Sequence, residues 1–209
     1  MPTLRFSLLW VLLLCCYAPA AYSQSKQDNA DLQRDLATYR RATLRLDYDT
    51  LLAFMPPQLL ELAPKEQLRA QLEQAFNNDE LYMVFDSMAY GQVPPVAKTG
   101  EYLYAVVPYT GHMQMHFKTP RDSAFMERMV SMLENEFRTG KLQQESTGSS
   151  RYITITMHDK HLLAFKTPAF DSWKFIEDKR GPEAPEDSQD MMLIKMIVPA
   201  EVLDATEKK

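Results

Sequence analysis

A chain of 209 residues, 45% of them hydrophobic, is long enough for one domain with a substantial buried core. Its net charge of −5 at pH 7, with basic residues scattered along the chain, argues against a nucleic-acid-binding protein, because such proteins concentrate Lys and Arg on one face. Both cysteines, Cys15 and Cys16, lie in an N-terminal apolar run, which leaves the rest of the chain without a disulfide, a thiol nucleophile or a cysteine ligand for zinc.

The N-terminus has the pattern of a secretory signal peptide. Arg5 precedes an apolar run over residues 6–17, and the small residues Ala21 and Ser23 follow it as a cleavage motif. We therefore expect cleavage after Ser23 and export to the periplasm or the medium, with no transmembrane segment in the mature chain. Lipid anchoring through Cys15 is the less favoured alternative, because Leu14 precedes it where a lipoprotein signal has a small residue.

A helical region follows the signal peptide. Residues 24–30 are polar and are predicted to form a flexible leader, ahead of a domain at 31–203 and a tail at 204–209. A stripe of side chains at helical spacing predicts the first helix: Leu32, Leu36, Tyr39, Thr43 and Leu46.

Two shorter helices are predicted next. Asp47 and Thr50 offer an N-cap for a helix that ends at Pro56. Pro64 stands in the first turn of a third helix that reaches Phe76.

From residue 80 the hydrophobic period changes from that of a helix to that of a strand, which predicts antiparallel strands. Residues 81–90 are apolar on both faces, which indicates a strand that is covered on both sides or lies at a partner interface. Residues 102–117 form a long strand, in which Pro108 and Gly111 predict a bulge or bend.

The second half of the chain continues this strand pattern around one helix. The further predictions are a helix over 122–138 capped by Asp122, a mobile polar segment at 140–150, strands at 151–157 and 162–166 around a tight turn at 158–161, a strand at 173–176, a loop at 178–190 and a terminal helix from Pro199. Helices first and strands afterwards indicate an α+β fold.

Several short apolar segments resemble those of exported bacterial NTF2-like proteins (SnoaL-like, cystatin-like α+β). They are Leu-Tyr-Met-Val-Phe-Asp at 81–86, the strand at 102–109, Leu-Leu-Ala-Phe-Lys at 162–166, Trp-Lys-Phe-Ile-Glu-Asp at 173–178 and Val-Pro-Ala-Glu-Val at 198–202. The resemblance implies N-terminal helices packed in a strongly curved antiparallel sheet, a cone with a pocket. It also implies that some members are isomerases or dehydratases with an Asp–His or Asp–Tyr pair, whereas many others bind ligands or partners. The helix at 122–138 and the turn at 167–170 depart from the family pattern.

The candidate catalytic residues are Asp86 and His116. Asp86 lies in a segment that is predicted to be buried, where a desolvated carboxylate has a raised pKa and is able to act as a general base, with His116 or Tyr104 orienting a substrate. His112, Gln114 and His116 share one strand face, but imidazoles four residues apart lie roughly 13 Å from each other, too far to hold one ion. No metal site and no cofactor are predicted.

The leading functional hypothesis is a non-catalytic exported domain that binds a small apolar ligand or a peptide. The candidate ligand-binding residues are the aromatic side chains Tyr82, Tyr104, Tyr109 and Trp173. The alternative is a small isomerase or dehydratase with Asp86 as its base. Expected partners are an unidentified small molecule or protein, a second copy bound through the open sheet face, or an envelope assembly that docks on the methionine-rich helix at 122–138.

Overall fold

The α+β class is confirmed by a computed structural model, which describes residues 18–136, 140–147, 150–180 and 188–207. Within these residues the helices are α1 (Ala18–Arg45), α2 (Tyr48–Ala53), α3 (Pro57–Leu62), α4 (Lys65–Phe76), α5 (Ser123–Glu136), α6 (Gln189–Ile197) and α7 (Ala200–Glu207). The strands are β1 (Leu81–Tyr90), β2 (Ala97–Thr99), β3 (Tyr102–Phe117), β4 (Gly140–Thr147), β5 (Ser150–Lys166) and β6 (Lys174–Glu177).

Two long antiparallel strands, β3 and β5, form the centre of a single sheet. On the far side of β3, β2 pairs with its first residues and β1 with its second half. On the far side of β5, β4 pairs with its first half and β6 with its second half. Each half of the two central strands therefore has its own neighbours, and its own covering helices.

The inner face of the sheet packs on the N-terminal helix. Leu32 and Leu36 of α1 are essentially fully buried against Val107 and Tyr109 of β3, which alternate with outward-facing residues. The Tyr90 hydroxyl donates a hydrogen bond of 2.9 Å to the carbonyl oxygen of Leu36 and fixes β1 against the helix. These contacts confirm the predicted stripe at Leu32 and Leu36, whereas Leu46, its last predicted member, lies beyond the end of α1 with φ +52°.

A buried carboxylate joins α1 to the last strand. Asp35 is 6% exposed, and its Oδ2 atom accepts a hydrogen bond of 3.1 Å from the backbone N–H of Trp173. Its Oδ1 atom accepts a second one, 3.0 Å long, from Nε of Arg34. Asp35 therefore positions the segment from which β6 begins.

The outer face is covered over only part of its area. In the region of Tyr104, Leu163 and Phe165 it packs on α6 and α7, which contribute Ile194 and Val202. At the other end, the side chains of His112 and Gln114 point outward, whereas Met113 and Met115 are buried on the inner face among residues of α5. The alternation predicted for this segment of β3 is confirmed.

Helix termini follow the sequence closely. The carboxylate of Asp47 accepts hydrogen bonds from the backbone N–H and the hydroxyl of Thr50, at 3.2 Å and 2.7 Å, at the start of α2. Asp122 accepts one of 2.7 Å from the backbone N–H of Phe125 at the start of α5. Both predicted caps are confirmed; residues 137 and 138 of the predicted α5 lie outside the described residues.

Four predictions at the chain termini and in the strands are corrected by the structure. Residues 24–30 are part of α1 instead of a flexible leader, and most of the predicted tail at 204–209 belongs to α7. The polar segment at 140–147 is strand β4, held by pairing with β5. The predicted turn at 158–161 lies inside the continuous strand β5, as a bulge with Asp159 at φ +52° opposite the shift between Tyr109 and Gly111.

Two helices were not predicted, and one of the two alternatives given for strand β1 is excluded. Helices α3 and α6 have no counterpart among the predictions. Strand β1 is not covered on both sides, because Tyr82 and Val84 on its outer face are each 39% exposed.

Candidate functional site

A cavity of about 500 Å³ lies between the N-terminal helices and the inner face of the sheet. Helices α1 to α4 form one wall, and strands β1, β3, β5 and β6 form the other. Its lining is largely apolar and includes Leu51, Leu59, Leu72, Phe76, Phe85, Leu162 and Phe175. Volume and lining both fall in the usual range for small-molecule sites.

Strand alternation and one glycine create the floor of this cavity. Tyr109 and Met113 of β3 point inward because they share parity with the core residue Val107. At Gly111, between them, a Cβ atom would lie only 2.7 Å from the terminal methyl carbon of Met157. The missing side chain therefore gives the Met157 side chain its place in the cavity lining.

An aromatic cluster supports one side of the cavity. The ring of Tyr39 lies 5.1 Å from that of Phe175 and 6.0 Å from that of Phe54, measured between centroids. The backbone N–H of Phe175 donates a hydrogen bond of 2.9 Å to the carbonyl oxygen of Phe54, and Nζ of Lys174 donates one of 2.8 Å to the carbonyl oxygen of Ala53. Strand β6 is thereby fixed against the end of α2.

Polar side chains meet in one corner of the cavity. Glu177 lines it at the end of β6, together with Tyr39 and Thr43 of α1 and Tyr109 of β3. Nζ of Lys160 lies 3.6 Å from a carboxylate oxygen of Glu177. We name Tyr39, Thr43, Tyr109 and Glu177 the polar corner.

The two tyrosines of the polar corner are strongly desolvated. Burial raises the pKa of Tyr39 to about 12, and the nearby carboxylate of Glu177 adds to this effect. Burial also raises the pKa of Tyr109, which interacts with the same carboxylate as a charge and as a hydrogen-bond acceptor. Both hydroxyls are therefore protonated at neutral pH and can donate hydrogen bonds.

Methionines are concentrated around the rest of the cavity. Five of the 13 in the chain line it: Met55, Met83, Met88, Met113 and Met157. Unbranched thioether side chains adapt to irregular shapes and make favourable contacts with aromatic groups. This part of the wall can therefore adjust to ligands of different outline.

Of the predicted ligand-binding residues, Tyr109 alone lines the cavity. Trp173 is fully buried in the core beneath α1. Tyr104 is on the outer face, where its hydroxyl lies 3.4 Å from the carbonyl oxygen of Ala205 in α7. Tyr82 is on the exposed part of the outer face, so the four aromatic residues do not form one site.

The predicted catalytic residues also lie outside the cavity lining. Asp86 is exposed at a bulge in β1, so the prediction that it is buried is wrong. His116 is on the outer face, between the rings of Tyr82 and Tyr152, each 4.8 Å from it between centroids. Burial lowers the pKa of His116, while the negative charge of Asp86 opposes this effect.

Glu177 was not singled out from the sequence, and Tyr39 was identified only as part of the helical stripe. Alternation along Trp173, Phe175 and Glu177 would have placed the carboxylate on the core side of its strand. This alternation is the sequence feature from which the position of Glu177 in the polar corner could have been predicted.

No group of three or more His, Cys, Asp or Glu side chains suited to a metal ion occurs in the described ranges. None of the helices in that part of the chain has the length and apolarity needed to cross a bilayer. Compared with protein-family models, curated proteins and solved structures, the chain gives no match. The resemblance to NTF2-like proteins therefore stays a prediction.

Proposed function

We propose that the protein is an exported, non-catalytic domain that binds a small apolar ligand in the cavity between α1–α4 and the sheet. The observation that carries this proposal is the cavity itself, about 500 Å³ in volume and walled mainly by Leu, Met and Phe side chains. Removing apolar ligand surface from water supplies the driving force, and the few polar groups orient the ligand. In this proposal the sheet and the N-terminal helices form the ligand-binding cone of an NTF2-like domain.

The competing proposal, an isomerase or dehydratase with Asp86 as its base, has no support from the placement of that residue. An exposed carboxylate keeps an ordinary hydration shell, and Asp86 does not line the cavity in which a substrate would be held.

Export is part of the same proposal. Residues 1–17 lie outside the described residues, and the expected cleavage after Ser23 falls within α1. From residue 25 onward, where the burial of the α1 side chains is described, the first buried residue is Leu32, so cleavage leaves every described core contact of α1 in place. We expect N-terminal sequencing of the protein from an envelope or medium fraction to start at Gln24; an N-terminus at Met1 in the cytosol would contradict export.

Ligand binding is tested with an apolar fluorophore, N-phenyl-1-naphthylamine, whose emission rises when it leaves water. We expect saturable binding that Leu72→Trp weakens at least tenfold, because Leu72 lines the cavity and the larger ring occupies its space. Leu62→Trp is the matched control, since Leu62 on α3 is 56% exposed and lies outside the lining.

Circular dichroism melting of both variants establishes that they are folded before binding is compared. Equal binding by the two tryptophan variants would show that the fluorophore binds elsewhere and would overturn the proposed site. The second copy on the sheet face and the envelope partner on α5 stay predictions.

A further inference from the structure

The polar groups of the cavity are confined to one corner and are few. Tyr39 and Thr43 are one helical turn apart on α1, and both tyrosines of the corner interact with Glu177. The remaining lining consists of the apolar side chains and methionines described above. A ligand that fits this distribution has one polar end and an apolar body.

Charge in the corner disfavours an ionised ligand. Lys160 pairs with Glu177 at 3.6 Å, so the corner already holds one charge of each sign. A ligand carboxylate would be placed beside the Glu177 carboxylate, and the two like charges would repel each other. An ammonium group would lose its hydration on entering and would find Glu177 already paired with Lys160.

Hydrogen-bonding capacity indicates which neutral group fits. Tyr39 has a protonated hydroxyl, and the described part of the chain holds no hydrogen-bond acceptor for it within bonding distance. The Glu177 carboxylate accepts only, with about four lone-pair sites. A group that accepts from Tyr39 and donates to Glu177 must carry both functions, as a hydroxyl does; a ketone or ether only accepts.

We propose that the ligand of this cavity is a neutral alcohol, whose hydroxyl bridges Tyr39 and Glu177 while its apolar body lies among the methionines. This inference rests on the proposed ligand-binding function and adds the chemical class of the ligand. The five adaptable thioether side chains leave the shape of the apolar body loosely specified, whereas the polar corner specifies its end group.

The test compares four probes with the same twelve-carbon chain: 1-dodecanol, dodecanoate, dodecylammonium and dodecane. Each is titrated against N-phenyl-1-naphthylamine bound to the purified protein at pH 7.5, the two ionised probes below their micelle-forming concentrations and the two neutral probes below their solubility limits. We expect 1-dodecanol to bind about tenfold more tightly than each of the other three, which corresponds to one or two net hydrogen bonds that they cannot form as well.

Two substitutions connect this preference to the polar corner. Tyr39→Phe should lower the affinity for 1-dodecanol about fivefold and leave the affinity for dodecane unchanged, because it removes only the hydroxyl. Glu177→Gln should raise the affinity for dodecanoate about tenfold relative to that for 1-dodecanol, because it removes the repelling charge. Tyr102→Phe is the matched control, since Tyr102 packs with α6 and α7 away from the cavity.

The outcomes separate the two proposals. Alcohol preference that is lost in Tyr39→Phe supports the inference. Three results would overturn the alcohol assignment while the cavity stays a ligand site. They are equal binding of all four probes, tighter binding of an ionised probe, and failure of every probe to displace a bound fluorophore. If the fluorophore itself does not bind to the cavity, the proposed function fails, and the inference fails with it.

Discussion

Asp35 offers the sharpest test of how this fold is held together. Asp35→Ala removes the acceptor of the Trp173 backbone N–H at 3.1 Å and leaves that donor buried without a partner. An unsatisfied buried donor costs about 1–3 kcal/mol, and the lost contact with Arg34 adds little because that arginine is largely exposed. We therefore expect the free energy of unfolding to fall by about 2–3 kcal/mol, which corresponds to a decrease of about 4–12 °C in Tm for a domain of this size.

The measurement is urea unfolding followed by tryptophan fluorescence, with two comparison variants. Asp35→Asn keeps an acceptor oxygen and should lose less than about 1 kcal/mol. Asp31→Ala removes the other carboxylate paired with Arg34, at 2.9 Å on the same helix, and should also stay below about 1 kcal/mol. If Asp35→Ala costs no more than Asp31→Ala, the hydrogen bond to Trp173 does not contribute as argued.

Three further predictions concern titration and the cavity floor. Tyr39 has a pKa of about 12 in the folded protein, whereas a tyrosine of the unfolded chain loses its proton near pH 10. The contribution of Tyr39 should therefore lower the free energy of unfolding by about 3 kcal/mol between pH 10 and 12. Urea unfolding across this range should show a shallower fall in Tyr39→Phe; an identical slope would refute the burial of that hydroxyl. Asp86→Asn should lower the pKa of His116 further, as followed by NMR titration, since Asp86 is the charge that opposes desolvation; an increase would contradict this placement. Gly111→Ala should push the methyl of Met157 into the cavity, at a cost below about 1.5 kcal/mol, and weaken binding of N-phenyl-1-naphthylamine; unchanged binding would place the fluorophore elsewhere.

The sequence was sufficient to predict a helix start or a strand wherever the capping residue or the apolar run lies within that element itself. The apolar segments at 81–90 and 102–117 predicted both strands with the boundaries that the structure has, and Asp47 and Asp122 marked two helix starts. Strand β4 has no such pattern, because polar side chains make up most of it and its backbone is ordered by pairing with β5. A polar edge strand of this kind depends on a neighbour that is distant in sequence.

The bulge in β5 shows a second limit of local patterns. Residues 158–161 are typical of a tight turn, and Asp159 does have the positive φ that such a turn uses. One residue with positive φ also fits a bulge, in which the strand continues with one extra residue. The uninterrupted partner strand β3 decides between the two, since Tyr109 pairs with Lys160 and Gly111 with Met157.

The candidate site was misplaced for a related reason. Asp86 and Glu177 are both acids at the end of an apolar run, and the neighbours of Asp86 in sequence are the more apolar. What separates them is coverage by elements far away in the chain: α1 and α2 cover β6 through Tyr39 and Phe54, whereas the bulge turns Asp86 outward at the sheet edge. Burial of a strand residue depends on what packs over its face, which its own segment does not encode. A carboxylate on the cavity side of its strand meets partners from other elements, here two tyrosines and a lysine, and those partners set the end-group chemistry that the alcohol proposal tests.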